Sequence, residues 1–199
     1  NKEDTIILKK TGTVNVEGIP FNILAPEKSV TGNVVVLKGG GGYARTMPQR
    51  VEVAVGGFKA NRLHFLGGIA GWGAKEASNG VPVLKVTVHY VDGAKEELVS
   101  RDVVEFADYI SRFDVPGSRY VPGLLRNAAQ LRWYTKLLQH PGAISSIVME
   151  SFDNDIAPTT LAITAEMAEP GAPAPGVAVP SAGAKTSAVA PQAWGAEIG

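Results

Sequence analysis

Cysteine is absent from the 199-residue sequence. A chain without thiols has no disulfide bonds, no thiolate metal ligands, no cysteine nucleophile and no covalent haem attachment. Composition still allows a packed core, because apolar residues make up 45% of the chain. The absence of cysteine leaves the cellular compartment open, since exported bacterial domains also occur without it.

Neither charge is in excess. Lysine plus arginine and aspartate plus glutamate number 19 each. Proteins that coat nucleic acid carry a basic excess, so the neutral balance argues against that class. Small neutral ligands and protein surfaces remain as partners.

Long hydrophobic runs are absent as well. No run approaches the roughly 18 apolar residues that a membrane-spanning helix needs, and no charged segment followed by an apolar leader is present. The sequence begins with Asn1. This start fits either a trimmed chain or a mature protein whose export signal has been removed, and we expect a periplasmic or extracellular location.

Short runs that alternate apolar and polar residues recur along the chain, separated by turn residues. Roughly ten such runs, with at most one short helix between 102 and 113, favour an all-β fold, an antiparallel β-sandwich or jelly roll with two layers. Strands do not alternate with helices, so a parallel sheet is disfavoured. The predicted strands cover residues 6–8, 13–16, 19–24, 33–37, 49–55, 61–66, 83–90, 95–99, 131–137, 143–151 and 159–166.

Residues 61–73 combine a strand pattern with a glycine-rich loop and one large aromatic residue. Alternation places Leu63 and Phe65 on one face of the strand and His64 on the other. The glycines that follow, beginning at Gly67, let the backbone bend sharply and let another surface approach closely. Trp72 stands among these glycines, so we predict an exposed loop at which Trp72 contacts a ligand.

Residues for acid–base or nucleophilic catalysis are scarce. The chain has no Gly-x-Ser-x-Gly motif and only three histidines, His64, His89 and His140. We expect His64 and His89 on the polar faces of neighbouring strands. Two histidines there could bind a metal, but no third ligand stands at a suitable spacing. We therefore predict a protein that is not an enzyme.

Four consecutive glycines occupy positions 39–42. The terminal Gly-Lys-Ser/Thr and the following helix of a phosphate-binding loop are missing, so a flexible loop tip is the simpler interpretation. Tyr43 and Arg45 follow closely. With Trp72 and His64 they form the predicted ligand-binding set, in which the aromatic rings stack on a sugar or anchor a protein partner.

Carboxylates cluster around residue 153. Glu150, Asp153 and Asp155, and the separate pair Glu96-Glu97, are candidates for the paired acids of a glycosidase, but a sequence does not supply their separation. The same segment is dense in oxygen donors, so Asp153 and Asp155 are also candidate ligands of a structural calcium ion. The spacing differs from the helix–loop–helix calcium motif, and a solvated turn is the alternative. No other cofactor is predicted.

The composition changes near the end of the predicted sandwich. Residues 168–199 are dominated by alanine, proline and glycine, a composition that buries too little apolar surface to offset the entropy of ordering. We therefore predict a β-sandwich domain over 1–167 and an extended tail over 168–199. Trp194 is the natural anchor of this tail on a partner, with Pro191 beside it, and a tail folded back on its own domain is the alternative.

The order of these pieces resembles the galactose-binding-like β-sandwich modules, which are related to the carbohydrate-binding domains appended to bacterial glycosidases. It looks closest to accessory domains of large exported proteins from environmental bacteria. The resemblance covers about residues 5–166 and implies a β-sandwich that binds ligand at loops on one end. The matching residues are 18–21, 25–26, 63–66, 86–93, 131–134, 140–141, 144–147 and 161–165.

Two functions from different classes are consistent with the sequence. The first is a non-catalytic, exported binding module that uses loop aromatics, Trp72 foremost, to engage a carbohydrate or a neighbouring protein. The alternative is a structural accessory subunit that stabilises a larger multi-protein complex, membrane-associated or not, with the tail as an interaction strap.

Overall fold

The computed structural model describes residues 8–25, 34–70, 80–108, 115–126, 130–167 and 192–193. This part of the chain is nearly all strand, and its only helix is a short 3-10 helix at Gly42–Thr46. No described helix has the length and apolar character that crossing a membrane requires. The strands are β1 (Gly12–Val16), β2 (Ile19–Ile23), β3 (Val35–Val36), β4 (Arg50–Phe58), β5 (Ala60–Ala70), β6 (Pro82–Tyr90), β7 (Lys95–Arg101), β8 (Arg119–Val121), β9 (Leu131–Leu137), β10 (Ile144–Ser151), β11 (Ala157–Met167) and β12 (Gln192–Ala193).

Two antiparallel sheets form the body of the fold. The small sheet has the order β4-β10-β6-β7. The large sheet has the order β12-β11-β5-β9-β8, and β3 also pairs with β11. The prediction of an antiparallel all-β sandwich is confirmed. The segment 102–108 is an irregular crossover rather than a helix.

The main hydrophobic core lies between the two sheets. It joins side chains of β5 and β9 in the large sheet to side chains of β6 and β10 in the small sheet. The rings of Phe65 and Tyr134 stack with their centroids 5.1 Å apart. Ser100 Oγ on β7 donates a hydrogen bond of 2.9 Å to Tyr134 Oη, which satisfies a buried hydroxyl across the sheets.

A second core covers the outer face of the large sheet, the face directed away from the small sheet. The hairpin of β1 and β2 packs Phe21 and Ile23 against Leu66, Leu131 and Leu161. This hairpin adds a third layer, which the two-layer prediction did not include. The large sheet is therefore apolar on both faces where the hairpin covers it.

β5 continues beyond the position at which the sequence predicted a loop. The strand extends to Ala70, so the prediction that the loop begins at Gly67 is wrong. Within the strand, Gly67 lies close to β11, where a Cβ on Gly67 would lie 2.1 Å from the carbonyl oxygen of Thr159. Trp72 lies outside the described residues.

Substitution of Gly67 tests this backbone contact. We expect Gly67→Ala to lower the free energy of unfolding by about 3 kcal/mol, because β11 must shift to admit a methyl group. Gly57→Ala is the matched control. Gly57 has φ +73° but open space around its Cβ position, so only the left-handed backbone penalty of about 1 kcal/mol applies. Urea denaturation measures both losses, and equal losses would contradict the contact.

Candidate functional site

A pocket of about 300 Å³ opens beside the glycine run that precedes the 3-10 helix. One wall comes from the loop between β3 and β4, and the other comes from the loop between β10 and β11. We call it the glycine-loop pocket. Its lining residues are Lys38, Gly39, Gly40, Arg45, Phe152, Asp153 and Asp155.

Glycine is required where the two loops meet. A Cβ on Gly40 would lie 2.2 Å from Asp155 Oδ1, and a Cβ on Gly39 would lie 2.7 Å from both the backbone nitrogen and the Cβ of Ala157. The backbone N–H of Gly40 donates a hydrogen bond of 2.9 Å to the carbonyl oxygen of Asp155. The glycines are therefore contact points between loops, so the predicted flexible tip is wrong at these two positions.

The 3-10 helix positions Arg45 over the pocket. The Ala44 carbonyl accepts a hydrogen bond of 3.0 Å from the Gly39 N–H, which ties the helix to the glycine run. Arg45 Nε donates to the carbonyl oxygen of Gly40. Tyr43 lies on the same helix with 55% of its surface exposed, but it is not among the lining residues.

Charges of both signs face each other in the glycine-loop pocket. Lys38 Nζ lies 3.9 Å from Asp153 Oδ1, and both side chains are exposed. Arg45 and Asp155 add one further charge of each sign. The lining therefore offers hydrogen-bond donors and acceptors together with no net charge.

Asp155, in the pocket wall formed by the loop between β10 and β11, has a left-handed backbone conformation. Its φ is +66°, in the left-handed region that aspartate and asparagine tolerate better than most residues. Asn154, its neighbour, donates a hydrogen bond of 2.7 Å from Nδ2 to the carbonyl oxygen of Pro82 at the start of β6. The acidic wall is thus fixed to the small sheet.

The pocket lies at one end of the sandwich. β4 begins, β10 ends and β11 begins at this end. β5 also ends here, because Ala70 pairs with Ala157. Ala70, the last residue of β5, therefore lies at the same end as the pocket.

The structure brings three of the predicted site residues together in one pocket, and two others, Tyr43 and His64, do not line it. Arg45, Asp153 and Asp155, which were predicted for two different roles, line one pocket. Trp72, Pro191 and Trp194 lie outside the described residues, so their predicted roles stay predictions. Lys38 and Phe152 were missed, although Lys38 directly precedes the glycine run, which was a usable signal.

His64 is buried on the outer face of the large sheet, with 6% of its surface exposed, and it does not line the pocket. Its Nδ1 lies 2.8 Å from Thr135 Oγ1, and its Nε2 lies 3.4 Å from Glu166 Oε2. Glu166 is also paired with Arg62 at 2.8 Å. Burial lowers the pKa of His64 below its ordinary value, and the carboxylate of Glu166 opposes that shift.

The prediction that His64 and His89 lie on neighbouring strands is wrong. His64 belongs to β5 in the large sheet and His89 belongs to β6 in the small sheet. Within the described ranges, no three histidine, aspartate or glutamate side chains gather as a metal site. The calcium prediction for Asp153 and Asp155 stays a prediction, and the cations Lys38 and Arg45 beside them oppose binding of a further cation.

Comparisons with known proteins do not assign the chain to a family. No protein-family model, curated protein or solved structure matches it. The galactose-binding-like resemblance therefore stays a prediction. The interpretation of the glycine-loop pocket rests on its own geometry and chemistry.

The pKa of His64 predicts a pH dependence of stability. The folded-state pKa lies below the ordinary value of 6.5, so protons bind the unfolded chain more strongly. We expect the free energy of unfolding to fall as the pH drops from about 7.5 to about 5.5, through the pKa of the unfolded chain. Above that window the contribution of His64 is complete.

Urea denaturation of the wild type and His64→Gln across that window measures the effect. We expect the slope with pH to be smaller in the variant, whatever its absolute stability. NMR titration of the His64 ring gives the folded-state pKa directly. Identical slopes, or a ring pKa above 6.5, would contradict the assigned burial.

Proposed function

We propose that the chain is a non-catalytic binding module that holds a neutral, hydroxyl-rich ligand, a carbohydrate unit, in the glycine-loop pocket. The observation that carries the proposal is the presence of two cationic and two anionic side chains in the lining of one pocket of about 300 Å³. This volume stands at the lower end of the range for small-molecule sites, so a ligand of monosaccharide size fits the proposal.

The balance of charge favours a neutral ligand over an ion. A phosphate or carboxylate would meet Asp153 and Asp155, and a metal ion would meet Lys38 and Arg45. Sugar hydroxyls both donate and accept hydrogen bonds. They can accept from the two cations and donate to the two carboxylates, and bonds to charged groups are the stronger kind.

Aromatic rings supply the apolar part of such a site. Phe152 lines the pocket, and Tyr43 stands exposed on the helix that carries Arg45. Aromatic faces pack against the C–H faces of sugar rings, so an exposed tyrosine next to a polar pocket suits a ligand that continues beyond it. We propose that Tyr43, on the helix that carries Arg45, has the aromatic binding role that the sequence predicted.

Preorganisation of the loops supports binding. The contacts of Gly39 and Gly40 with residues 155–157 hold the two walls together before any ligand arrives. A site that is already ordered loses less conformational entropy when it binds. The ordered loops therefore raise the affinity for any ligand of the right size and polarity.

The predicted resemblance and location belong to the same proposal. Galactose-binding-like modules bind sugars at loops on one end of the sandwich, and the glycine-loop pocket occupies one end of this one. An exported protein would meet extracellular glycans. Both points are proposals and need their own tests.

Substitutions in the pocket test the proposal against a panel of neutral sugars, namely galactose, glucose, mannose and N-acetylglucosamine. We expect Arg45→Ala and Asp155→Asn each to weaken binding about ten-fold or more, because each removes a charge-assisted hydrogen bond. Asparagine accepts the left-handed backbone of position 155, so the fold is retained. Calorimetry measures the dissociation constants, and two-dimensional NMR maps the shifted residues.

Arg119→Ala is the matched control for Arg45→Ala. Arg119 is an exposed arginine on β8 that pairs with Glu17, and it is remote from the pocket in the strand order. We expect it to leave binding unchanged. Shifted resonances confined to residues outside the pocket, or no binding of any sugar in the panel, would overturn the proposal. Binding that requires added calcium would instead support the predicted calcium site.

A further inference from the structure

Gly40 contacts two side chains of opposite charge in the glycine-loop pocket. Its carbonyl oxygen accepts a hydrogen bond from Arg45 Nε. At its Cα, an added Cβ would lie 2.2 Å from Asp155 Oδ1 and 2.4 Å from Asp155 Cγ, so the carboxylate packs directly against the glycine. The guanidinium and the carboxylate therefore meet at one residue, and both line the pocket.

Arg45 and Asp155 do not neutralise each other by direct contact. Among the ion pairs of the described residues, Lys38 pairs with Asp153 across the two loops, but none joins Arg45 to Asp155. The bond to Gly40 uses only the Nε of the guanidinium. In the described part of the chain, the terminal nitrogens of Arg45 and the carboxylate oxygens of Asp155 have no hydrogen-bond partner. A donor and an acceptor are thus available to one ligand.

The backbone fixes this pair more firmly than the other charged pair of the pocket. Arg45 is bonded to the carbonyl oxygen of Gly40, and the Gly40 N–H donates a hydrogen bond of 2.9 Å to the carbonyl oxygen of Asp155. Lys38 and Asp153 lie 3.9 Å apart, and their side chains are 44% and 87% exposed. A preorganised pair loses less entropy on binding, so Arg45 and Asp155 are the better placed to select among ligands.

Two adjacent hydroxyl groups match such a donor–acceptor pair. A hydroxyl group both donates and accepts hydrogen bonds. One hydroxyl can accept from a terminal nitrogen of Arg45 while its neighbour donates to the carboxylate of Asp155, and both bonds are charge-assisted. The guanidinium and the carboxylate each present a pair of neighbouring polar atoms. A vicinal diol therefore uses more of them than a single hydroxyl does.

We propose that Arg45 and Asp155 together recognise a vicinal diol, so that the ligand of the glycine-loop pocket is a sugar or polyol with two adjacent free hydroxyl groups at the bound position. This inference rests on the proposed function, because it requires a carbohydrate in the pocket. Gly40 has a positioning role in it, since a side chain at that position would displace the carboxylate of Asp155.

Deoxy analogues identify the hydroxyl groups that bind. A methyl hexopyranoside has a blocked anomeric oxygen, and its ring offers vicinal diols at carbons 2,3 and 3,4, which share the 3-hydroxyl. We use the methyl glycoside of the panel sugar that binds most tightly. We expect the 3-deoxy analogue, and either the 2-deoxy or the 4-deoxy analogue, to bind about ten-fold or more weakly in calorimetry. The 6-deoxy analogue is the control, with an expected loss of about three-fold at most.

Protein variants then assign each hydroxyl group to its partner. Arg45→Ala removes the donor. Asp155→Gly removes the acceptor, and glycine suits the left-handed backbone of position 155. We expect one variant to become insensitive to the 3-deoxy change and the other to the neighbouring deoxy change, each with a coupling of about three-fold or more. Arg119→Ala, on β8, is the matched control and keeps the deoxy profile of the wild type. Circular dichroism checks that each variant is folded.

Three results would overturn the inference while sugar binding in the pocket persists. The first is a 3-deoxy analogue that binds as tightly as its parent, which means that no ring diol is recognised. The second is coupling of both variants to the same hydroxyl group, which means that one hydroxyl bridges the two charges. The third is coupling to hydroxyl groups that are not adjacent. Failure of every sugar in the panel to bind would overturn the proposed function as well.

Discussion

Burial of β5 on both faces is the constraint on which the structure depends. Leu63 and Phe65 face the small sheet, whereas Leu66 packs under the hairpin of β1 and β2. His64 is enclosed on that outer face as well, which is why its protonated form is disfavoured. The contact of Gly67 with β11 lies where Gly67 pairs with Thr160, next to the register shift between Thr160 and Ala162.

The alternation of apolar and polar residues predicted most strands correctly, but it did not predict which elements pack against their faces. In β9, Tyr134 belongs to the core between the sheets and Trp133 packs against the core under the hairpin, so both faces are covered at these two residues. Alternation shows which residues share a face, but it does not show what packs against the face. His64 was therefore predicted to be accessible, because a polar residue in an alternating strand usually faces water. The sequence of β5 does not indicate that the hairpin of residues 12–23 covers this face.

The candidate site was predicted in parts rather than as one pocket. Arg45 lies in the loop before β4, and Asp153 and Asp155 lie in the loop after β10. The pairing of β10 with β4 and the pairing of β11 with β3 bring these loops together, and a single sequence does not reveal strand pairing. The glycine run was evident in the sequence, but its structural role was not. Because glycine has no side chain, the loop that carries Asp155 and Ala157 can pack directly against this run. The local sequence pattern does not predict that contact.

Charges of both signs line the glycine-loop pocket, and the proposal of a binding module rests on this arrangement. The residues that line the glycine-loop pocket include no histidine. His64, whose pKa is lowered by burial, is bonded to Thr135 and Glu166 on the outer face of the large sheet. The pocket holds cations and carboxylates whose charges offset each other, and we propose a neutral polar ligand on that ground.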